Sequence, residues 1–292
     1  MIWNLGSINI DKFYEVPYLP AAGETLAATS FGFGLGGKGA NMSVAAARCA
    51  ARVSHIGAVG GDGHWTRQRL LEYGVDTLHI AQVDAPTGHA NIVVDQSGEN
   101  NIVLYQGANV QLTEAIIGAA LTEASPGDYL LMQNETNGQE YAGVTAKSLG
   151  LRVVYAAAPF DASAIERLVG RIDLLVLNEV EAAQLETATG RSVADFGVPD
   201  VVITLGAQGC KWVSNRGANQ SSAIFDAYPA EAVDTTGAGD TFTGYLVAGL
   251  DRGMDMRGAI DVALKAGAMM VMRRGTADVI PDLKEIQDRF GI

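Results

Sequence analysis

The sequence of 292 residues has few cysteines, few basic residues and no long apolar run. Its two cysteines, Cys49 and Cys210, form no closely spaced pair, which argues against a disulfide framework and against a thiolate metal site. No uninterrupted apolar run is long enough to cross a bilayer, and residues 1–11 lack the basic and apolar regions of a signal peptide. We therefore expect a cytoplasmic protein that has no membrane partner.

Basic residues are outnumbered by acidic ones, with 20 Lys and Arg against 33 Asp and Glu and a formal net charge of -13. A surface that binds nucleic acid draws its affinity from Lys and Arg, so we expect no nucleic-acid partner. A small phosphate can still bind to such a chain where backbone N–H groups or a cation neutralise its charge. The four histidines show no ligand spacing with cysteines or acidic residues, so we expect none of them to bind a metal.

Apolar residues and glycines are abundant, and their arrangement indicates the fold class. The chain is 48% hydrophobic and has 35 glycines, which together indicate a sizeable core joined by many tight turns. Short apolar runs, as expected for strands covered on both faces, alternate with segments of helical periodicity. The runs span residues 2–7, 53–59, 129–133, 152–156, 172–177 and 201–205, and the helical segments span residues 41–51, 65–73, 179–189 and 241–250. This alternation predicts an α/β fold with a doubly wound, mostly parallel central sheet flanked by helices.

Two segments break this alternation and predict short antiparallel strands instead. They cover residues 11–34 and 87–106, where apolar and polar residues alternate between turn signals. We expect these strands to project from the main sheet as a small β-stranded lid. The main domain, which would bind nucleotide and substrate, then comprises residues 1–10, 35–86 and 107–292.

Polar residues directly follow several of the predicted strands. Asn9 and Asp11 come after the first strand, Glu135 follows the run that ends at residue 133, and Asn178 and Gly206 follow two later strands. In open α/β sheets, ligands bind outside the carboxyl ends of the strands. We therefore expect these residues to converge on a single site at one edge of the sheet.

The first glycine-rich loop, residues 32–41, contains two nucleotide-binding patterns that fail in context. Three of its glycines match G-x-G-x-x-G, but the loop does not follow a buried strand, so a dinucleotide-dependent oxidoreductase is a remote alternative. A G-x-x-x-x-G-K pattern ends at Lys38, but Gly39 stands where a P-loop needs Ser or Thr. Asn41 has the residue type of a helix N-cap, yet a cap does not require so many glycines. They are typical of a loop where a ligand approaches bare backbone.

The second glycine-rich loop, residues 232–242, leads directly into an apolar helical segment. Its Gly-Ala-Gly sequence at residues 237–239 would leave backbone N–H groups unpaired at the helix start, and such a terminus attracts anions. Asp240 follows at the same terminus. Asp240 is either a helix cap or a base that deprotonates an alcohol as it attacks a phosphoryl group.

At these two loops the sequence resembles the ribokinase family of sugar and nucleoside kinases. Residues 36–41, Gly-Gly-Lys-Gly-Ala-Asn, and residues 234–242, Asp-Thr-Thr-Gly-Ala-Gly-Asp-Thr-Phe, match the two family signatures. Secondary motifs occur in the family order at residues 6–11, 23–25, 60–63, 107–109, 132–135, 178–181 and 204–209. The resemblance covers nearly the whole chain, and nine motifs in register make a chance match very improbable.

The resemblance implies a kinase that transfers the γ-phosphoryl group of ATP to a sugar hydroxyl. It implies ATP and Mg²⁺ as cofactors, K⁺ as a candidate activator, and a homodimer formed through the lid. D-ribose, phosphorylated at its 5-hydroxyl, is the leading substrate. Fructose, another pentose, a sugar acid and a nucleoside stay open as substrates, and a non-catalytic sugar-binding protein is a further alternative.

The resemblance also assigns roles to individual residues. Asp240 matches the catalytic base, and the anion hole matches Gly237, Ala238 and Gly239. Sugar-contacting positions match Asn9, Asp11, Gly37, Lys38, Asn41 and Glu135. Nucleotide-binding positions match Asn178, Thr204, Gly206 and Gly209. Metal positions match Glu181, which would act on Mg²⁺ through water, and Asp234 and Thr236, which would hold a monovalent cation.

The chain departs from the family pattern at two places. Residues 156–159 read Ala-Ala-Ala-Pro where ribokinase has Asn-Pro-Ala-Pro, so an Asn side chain is lost beside the phosphates. Val279 occupies the Ser position of a Gly-Ala-x-x-Ser motif that helps to bind the monovalent cation. Cation activation is therefore a weaker expectation than catalysis.

Overall fold

The computed structural model describes residues 1–217 and 220–291, which form two sheets and their flanking helices. Elements are numbered in chain order. The larger sheet contains β1 (Ile2–Leu5), β4 (Val53–Val59), β5 (Ile80–Gln82), β8 (Tyr129–Met132), β9 (Arg152–Ala156), β10 (Leu174–Asn178), β11 (Asp200–Thr204), β12 (Cys210–Ser214) and β13 (Ser221–Phe225). The smaller sheet contains β2 (Asn9–Glu15), β3 (Ser30–Gly36), β6 (Gly88–Val94) and β7 (Asn100–Tyr105). The helices are α1 (Lys38–Arg48), α2 (His64–Glu72), α3 (Glu114–Leu121), α4 (Gln139–Ser148), α5 (Ala162–Leu168), α6 (Glu179–Thr189), α7 (Ala238–Asp251), α8 (Met256–Met270) and α9 (Leu283–Phe290).

The larger sheet has the strand order β13-β12-β11-β10-β9-β8-β1-β4-β5. The strands from β11 to β5 are parallel, whereas β12 and β13 add an antiparallel edge. Every residue of β1, β4 and β8 is buried, which explains why these strands are mostly apolar in the sequence, with Asn4, Ser54 and His55 as buried polar residues. The predicted fold class, a doubly wound and mostly parallel sheet, is confirmed.

Helices cover both faces of this sheet and form two cores. One core contains apolar side chains of α1, α7, α8 and α9, and the other contains those of α3, α4, α5 and α6. On the first face α1 and α7 approach very closely at Gly244, where an added Cβ would lie 2.5 Å from Ala45 Cβ. The close approach sets the first turns of the two helices side by side at the carboxyl edge of the sheet.

The smaller sheet forms the lid, with strand order β3-β2-β6-β7. β2 pairs with β3, and β6 with β7, in antiparallel fashion, but β2 and β6 run parallel. The expectation of purely antiparallel strands is therefore wrong at the centre of the lid. The reason is that both segments leave the main domain in the same direction along a central strand and return along an outer one. The lid strands also begin at Asn9 and extend to Gly36, beyond the expected limits.

Both helices that follow the glycine-rich loops begin earlier than the sequence predicts. α1 begins at Lys38 after Gly37, whose φ is 94°, and α7 begins at Ala238 after Gly237, whose φ is 71°. Neither helix start has a side-chain cap. The capping interpretation is therefore wrong for Asn41 and for Asp240, and both side chains are left for other contacts. Within the described residues, no helix is long and apolar enough to cross a membrane.

Candidate active site

Asp240 lies in the first turn of α7, at the carboxyl edge of the main sheet, and is 7% exposed. Its Oδ2 accepts a hydrogen bond of 2.9 Å from Nδ2 of Asn41, in the first turn of α1. Its Oδ1 lies 3.8 Å from Nζ of Lys38. The negative charges of Asp240, Glu135 and Glu181 keep the pKa of Lys38 above its ordinary value, with Asp240 as the largest cause. The close packing of α1 and α7 thus puts a carboxylate, an amide and an ammonium group together.

The amide of Asn41 has its orientation fixed by Asp240. A carboxylate can only accept hydrogen bonds, so Nδ2 of Asn41 must face it and Oδ1 must point away. This Oδ1 atom is buried and has no hydrogen-bond partner among the described residues. A buried acceptor without a partner is unfavourable, so a ligand hydroxyl that donates to Oδ1 would be stabilised there.

Asp11, on lid strand β2, is 8% exposed and faces the same group of charges. Burial, together with the carboxylates of Glu135 and Asp240, raises its pKa from 3.8 to about 7. Gly36 lies on the neighbouring strand β3, and an added Cβ there would be only 1.9 Å from Oδ2 of Asp11. Glycine at position 36 is therefore required by the Asp11 side chain.

Glu135, in the loop after β8, ties the first glycine-rich loop to the end of β1. Its Oε2 accepts hydrogen bonds from Oγ of Ser7 and, at 3.0 Å, from the backbone N of Lys38. Ser7 Oγ in turn accepts from the N–H of Gly39 at 3.2 Å. Gly37 and Gly39 both lie so close to Ser7 that an added Cβ would crowd its atoms. Ser7 is a site residue that the sequence reasoning missed, although it lies within the motif at residues 6–11.

The start of α7 leaves backbone N–H groups without a protein acceptor among the described residues. In the described part of the chain, the N–H groups of Gly237 and Gly239 donate to no protein acceptor, whereas Ala238 N donates to Thr235 O at 3.2 Å. Two of the three predicted anion-hole residues thus have available amides, and Ala238 does not. The reason is that Gly237 has a left-handed backbone conformation and forms a turn in which the N–H of Ala238 bonds to Thr235 O.

A pocket of about 490 Å³ extends from this helix start along α8. Thr204, Gly206 and Gly209 line part of it, as the sequence predicts, together with Ala238 and Gly239. The remaining wall is mostly apolar and is formed by Ala207, Ala227, Tyr228, Pro229, Ala230, Ala232, Thr235, Phe242, Leu264, Gly267, Ala268 and Val271. A pocket with an apolar wall and an anion-binding end fits a flat base carrying phosphates. Asn178 is not part of its lining.

Comparison with known proteins relates this site to a family. The model of pfkB family carbohydrate kinases matches residues 1–283. The chain belongs to this family. A ribokinase of Haemophilus influenzae is 39% identical in an alignment of 299 positions that covers 96% of this chain and 95% of that relative. The predicted enzyme class, a carbohydrate kinase, is confirmed.

Solved structures of similar proteins agree with this family membership. Ribokinase of Cryptococcus neoformans var. grubii serotype A in complex with ADP is 30% identical, with a TM-score of 0.85 and coverage of 99% of both chains. Arabidopsis thaliana ribokinase complexed with ribose and ATP is 26% identical, with a TM-score of 0.84 and coverage of 98% of this chain and 97% of that one. The resemblance to the ribokinase family and its fold are therefore confirmed.

In this pfkB-family kinase, Asn178 and Glu181 form a capping box at the start of α6. Glu181 N donates to Asn178 Oδ1 and Asn178 N donates to Glu181 Oε2, each at 2.8 Å. Burial raises the pKa of Glu181 above its ordinary value, and the charge of Asp240 adds to this effect. The sequence reasoning missed this structural role, which the Asn-x-x-Glu spacing itself indicates.

Asp234 joins the two loops of the predicted monovalent-cation site. Its Oδ1 accepts from Thr236 N at 2.9 Å and its Oδ2 accepts from Gly275 N at 3.3 Å. Val279, the second departure from the family pattern, lies against Gly275. Among the described residues, no three His, Cys, Asp or Glu side chains cluster in a way that could hold a metal ion. Besides Asp234, a cation here would need backbone oxygens, water or phosphate as ligands.

The first departure from the family pattern, at residues 156–159, is accompanied by contacts of Asn134. Asn134 Nδ2 donates to Pro159 O at 2.8 Å, and its Oδ1 accepts from the hydroxyl of Tyr155. Ala157 is fully buried. Both polar atoms of the Asn134 side chain are therefore engaged within this region.

Proposed function

We propose that this kinase is an ATP-dependent ribokinase that transfers the γ-phosphoryl group of ATP to the 5-hydroxyl of D-ribose. The observation that carries the proposal is the contact of Asp240 with Asn41 beside the unpaired amides of α7. This contact supports the presence of a single cleft that contains a base, backbone amides that bind an anion, and a side-chain amide that binds a polyol. The relatives compared above are ribokinases, and the Arabidopsis structure contains ribose and ATP.

Asp240 acts as the general base in the proposed reaction. Its carboxylate takes the proton of the attacking hydroxyl while that oxygen forms a bond to the γ-phosphorus. The bond from the γ-phosphorus to the oxygen shared with the β-phosphate breaks, and ADP leaves. The amides of Gly237 and Gly239 donate to the transferring phosphoryl oxygens, and Lys38 supplies positive charge beside them.

The sugar is bound between the lid and the first glycine-rich loop. Asp11 in its ionised form accepts hydrogen bonds from two neighbouring hydroxyls, and Asn41 Oδ1 accepts from a third. Asn9 contributes donors from its Nδ2. The remaining sugar-contacting positions that we propose are Gly37, Lys38 and Glu135. The hydrogen bond from Lys38 N to Glu135 holds the loop against the main domain.

ATP is proposed to occupy the 490 Å³ pocket, with its base against the apolar wall and its phosphates near Gly239. Thr204, Gly206 and Gly209 would contact the nucleotide. Mg²⁺ would neutralise the β- and γ-phosphates, and Glu181 fits as an indirect ligand through water, since only one of its oxygens is used by the capping box. Asp234 and Thr236 are proposed to hold K⁺. A cytoplasmic location, where ATP is available, fits this activity.

The test of the proposed function is an ADP-release assay coupled to a panel of sugars. The panel contains D-ribose, 2-deoxyribose, other pentoses, fructose, a sugar acid and a nucleoside, each with and without K⁺. D-ribose is expected to give the highest kcat/KM, with ribose 5-phosphate as product. A higher kcat/KM for another member would replace ribose as the substrate, and absence of sugar-dependent ADP release from folded protein would overturn the kinase proposal.

We also propose that the kinase forms a homodimer through its lid. Every residue of the outer strand β7 is exposed, including Ile102, Val103, Leu104 and Tyr105. An exposed apolar edge strand is an unfavourable surface in water and readily pairs with a second copy. Phe31 and Phe33 on β3 are likewise exposed at the other edge of the lid.

A further inference from the structure

Asn109 lies in a short helical turn, Gly107–Val110, where the chain leaves lid strand β7 and re-enters the main domain. It is 2% exposed. Its Oδ1 accepts a hydrogen bond of 2.9 Å from the backbone N of Ile8, and its Nδ2 donates one of 2.8 Å to Oδ1 of Asn9. The side chain therefore connects the end of one lid segment to the beginning of the other, across about 100 residues of sequence.

The two hydrogen bonds fix the orientation of both amide groups. A backbone N–H can only donate, so the atom of Asn109 that faces Ile8 must be its oxygen. Its NH₂ group then faces Asn9, and the atom of Asn9 that accepts from it must also be an oxygen. It follows that the NH₂ group of Asn9 points away from Asn109. In the described part of the chain this NH₂ group donates to no protein acceptor and is not among the fully shielded atoms.

Gly88, the first residue of lid strand β6, completes this contact. An added Cβ at Gly88 would lie 2.1 Å from Nδ2 of Asn109 and 2.5 Å from Oδ1 of Asn9. The start of β2 at Asn9, the start of β6 at Gly88 and the turn after β7 at Asn109 therefore meet at one hydrogen bond. Even the smallest side chain at position 88 would collide with both amides, so the hydrogen bond between them depends on glycine at this position.

We infer that Asn109 is a positioning residue for the sugar: it holds the Asn9 amide so that the NH₂ group, and not the carbonyl oxygen, faces the substrate. The inference rests on the proposed function, in which Asn9 binds the sugar. Asp11, two residues along β2, can only accept when it is ionised, and the free atom of Asn41 is also an acceptor. The NH₂ group of Asn9 thus adds a donor beside these two acceptors, and it selects a sugar oxygen that accepts.

The decisive variant is Asn109→Asp, which keeps the shape and the oxygen that binds Ile8 N but replaces the donor to Asn9 by an acceptor. The Asn9 amide is then expected to turn its NH₂ group toward the introduced carboxylate and its oxygen toward the sugar. We expect KM for the sugar to rise roughly tenfold while kcat and KM for ATP change less than about twofold. An unchanged KM for the sugar would overturn the inference.

Asn215→Asp is the matched control for the loss of an amide donor. Asn215 Nδ2 is a donor as well, although its acceptors are the backbone oxygens of Ala194 and Val198, and it lies at the end of β12, away from the cleft. This variant is expected to lower the thermal midpoint without changing KM for the sugar. A rise in KM as large as that of Asn109→Asp would show that loss of stability alone explains the kinetic effect, against a positioning role.

A series of monodeoxy sugars separates positioning from a general structural effect. If Asn109 acts through Asn9, the roughly tenfold penalty of Asn109→Asp should disappear for the one analogue that lacks the oxygen contacted by Asn9, and persist for the others. An equal penalty for every analogue would contradict the inference. Asn9→Asp provides a second variant should Asn109→Asp not fold, since it still accepts from Asn109 but lacks the NH₂ group, and it should show the same selective loss.

The two proposals fail in different ways. Absence of sugar-dependent ADP release from the unsubstituted enzyme would overturn the ribokinase proposal. Normal activity of that enzyme, combined with an unchanged KM for the sugar in both Asn109→Asp and Asn9→Asp, would overturn the role of Asn109 alone.

Discussion

At the scale of single residues, Asp240 shows how a charged side chain near a helix start can be released from a structural role. Gly237 ends the preceding loop with a positive φ, so α7 begins without a side-chain cap. Asp240 is consequently free to contact Asn41 and Lys38 from the neighbouring helix. Its function can be tested separately from the stability of α7.

The first prediction concerns Asp240→Asn. The substitution keeps the shape of the side chain but removes the base, so kcat should fall by roughly 10²–10⁴-fold while ATP still binds. Turnover by the coupled assay and ATP affinity by calorimetry provide the two measurements. Asp255→Asn is the matched control, because Asp255 does cap a helix, α8, and Asn is an equally good cap. Near-normal turnover of Asp240→Asn would exclude a role as general base.

The second prediction concerns the pH dependence of sugar binding through Asp11. Its pKa is raised to about 7 by burial and by Glu135 and Asp240, so much of Asp11 is protonated near neutral pH. Ionised Asp11 accepts from the sugar hydroxyls. KM for the sugar is therefore expected to fall roughly tenfold between about pH 6 and about pH 8. Asp11→Asn should bind sugar weakly and lack this dependence, and a pH-independent KM in the unsubstituted enzyme would contradict the assignment.

The raised pKa of Asp11 also affects the stability of the folded, sugar-free protein. Raising the pH should lower this stability, whereas it should strengthen sugar binding. Because the folded chain holds the Asp11 proton more tightly than the unfolded chain, protonated Asp11 favours folding below about pH 4, and this contribution is lost as pH rises to about 7. Asp11→Asn should therefore stabilise the sugar-free protein at about pH 8, by up to about 4 kcal/mol, and leave it unchanged near pH 4. Thermal unfolding at the two pH values provides the comparison.

At the scale of secondary-structure elements, the packing of α1 against α7 determines the geometry of the cleft. Gly244 allows this packing, since an added Cβ would lie 2.5 Å from Ala45 Cβ and 2.6 Å from Met42 O. Asn41 and Asp240 occupy the first turns of the same two helices. A change in the distance between the helices should therefore alter the hydrogen bond between these residues.

The third prediction follows for Gly244→Ala. The extra methyl group should separate α1 from α7, lower the free energy of unfolding by about 1–3 kcal/mol and reduce kcat. Gly143→Ala in α4 is the control, because its nearest contact would be an ordinary 3.5 Å to Leu168. There the higher helix propensity of Ala should leave stability equal or raised by up to about 1 kcal/mol. Denaturant unfolding and the coupled assay measure both effects, and equal behaviour of the two variants would argue against the packing explanation.

At the scale of the whole molecule, the lid is a small sheet that the main domain does not cover. Its outer strands expose apolar side chains that a folded monomer would not be expected to leave in water, including Ile102 and Val103. These two residues point to opposite faces of β7. A second copy of the chain is the partner that we propose for this surface.

The fourth prediction concerns the lid. The double variant Ile102→Lys with Val103→Lys places a charge on each face of β7, and it should shift the protein from dimer to monomer in analytical ultracentrifugation. Val144→Lys, on the exposed face of α4, is the control and should leave the association unchanged. A monomeric unsubstituted protein, or a double variant that still dimerises, would overturn the proposed lid interface.

The amino-acid sequence by itself predicted the fold class, many of the elements and the two loops of the candidate site. Mostly apolar runs predicted the buried parallel strands, and two of them, Val53–Val59 and Arg152–Ala156, have the predicted bounds. Glycines next to polar residues indicated both loops of the cleft. These features are local, because the periodicity of apolar residues and the conformational freedom of glycine can be read within a few neighbouring residues.

Only the tertiary structure decided which side chains face one another. Ser7 contacts Glu135, and Asn109 contacts Asn9, at separations of 128 and 100 residues, so no local pattern could predict these pairs. The parallel pairing of β2 with β6 was likewise not predicted. In each of these cases the deciding interaction joins segments that are distant in sequence and meet only when the chain packs, and the orientation of an amide depends on that contact.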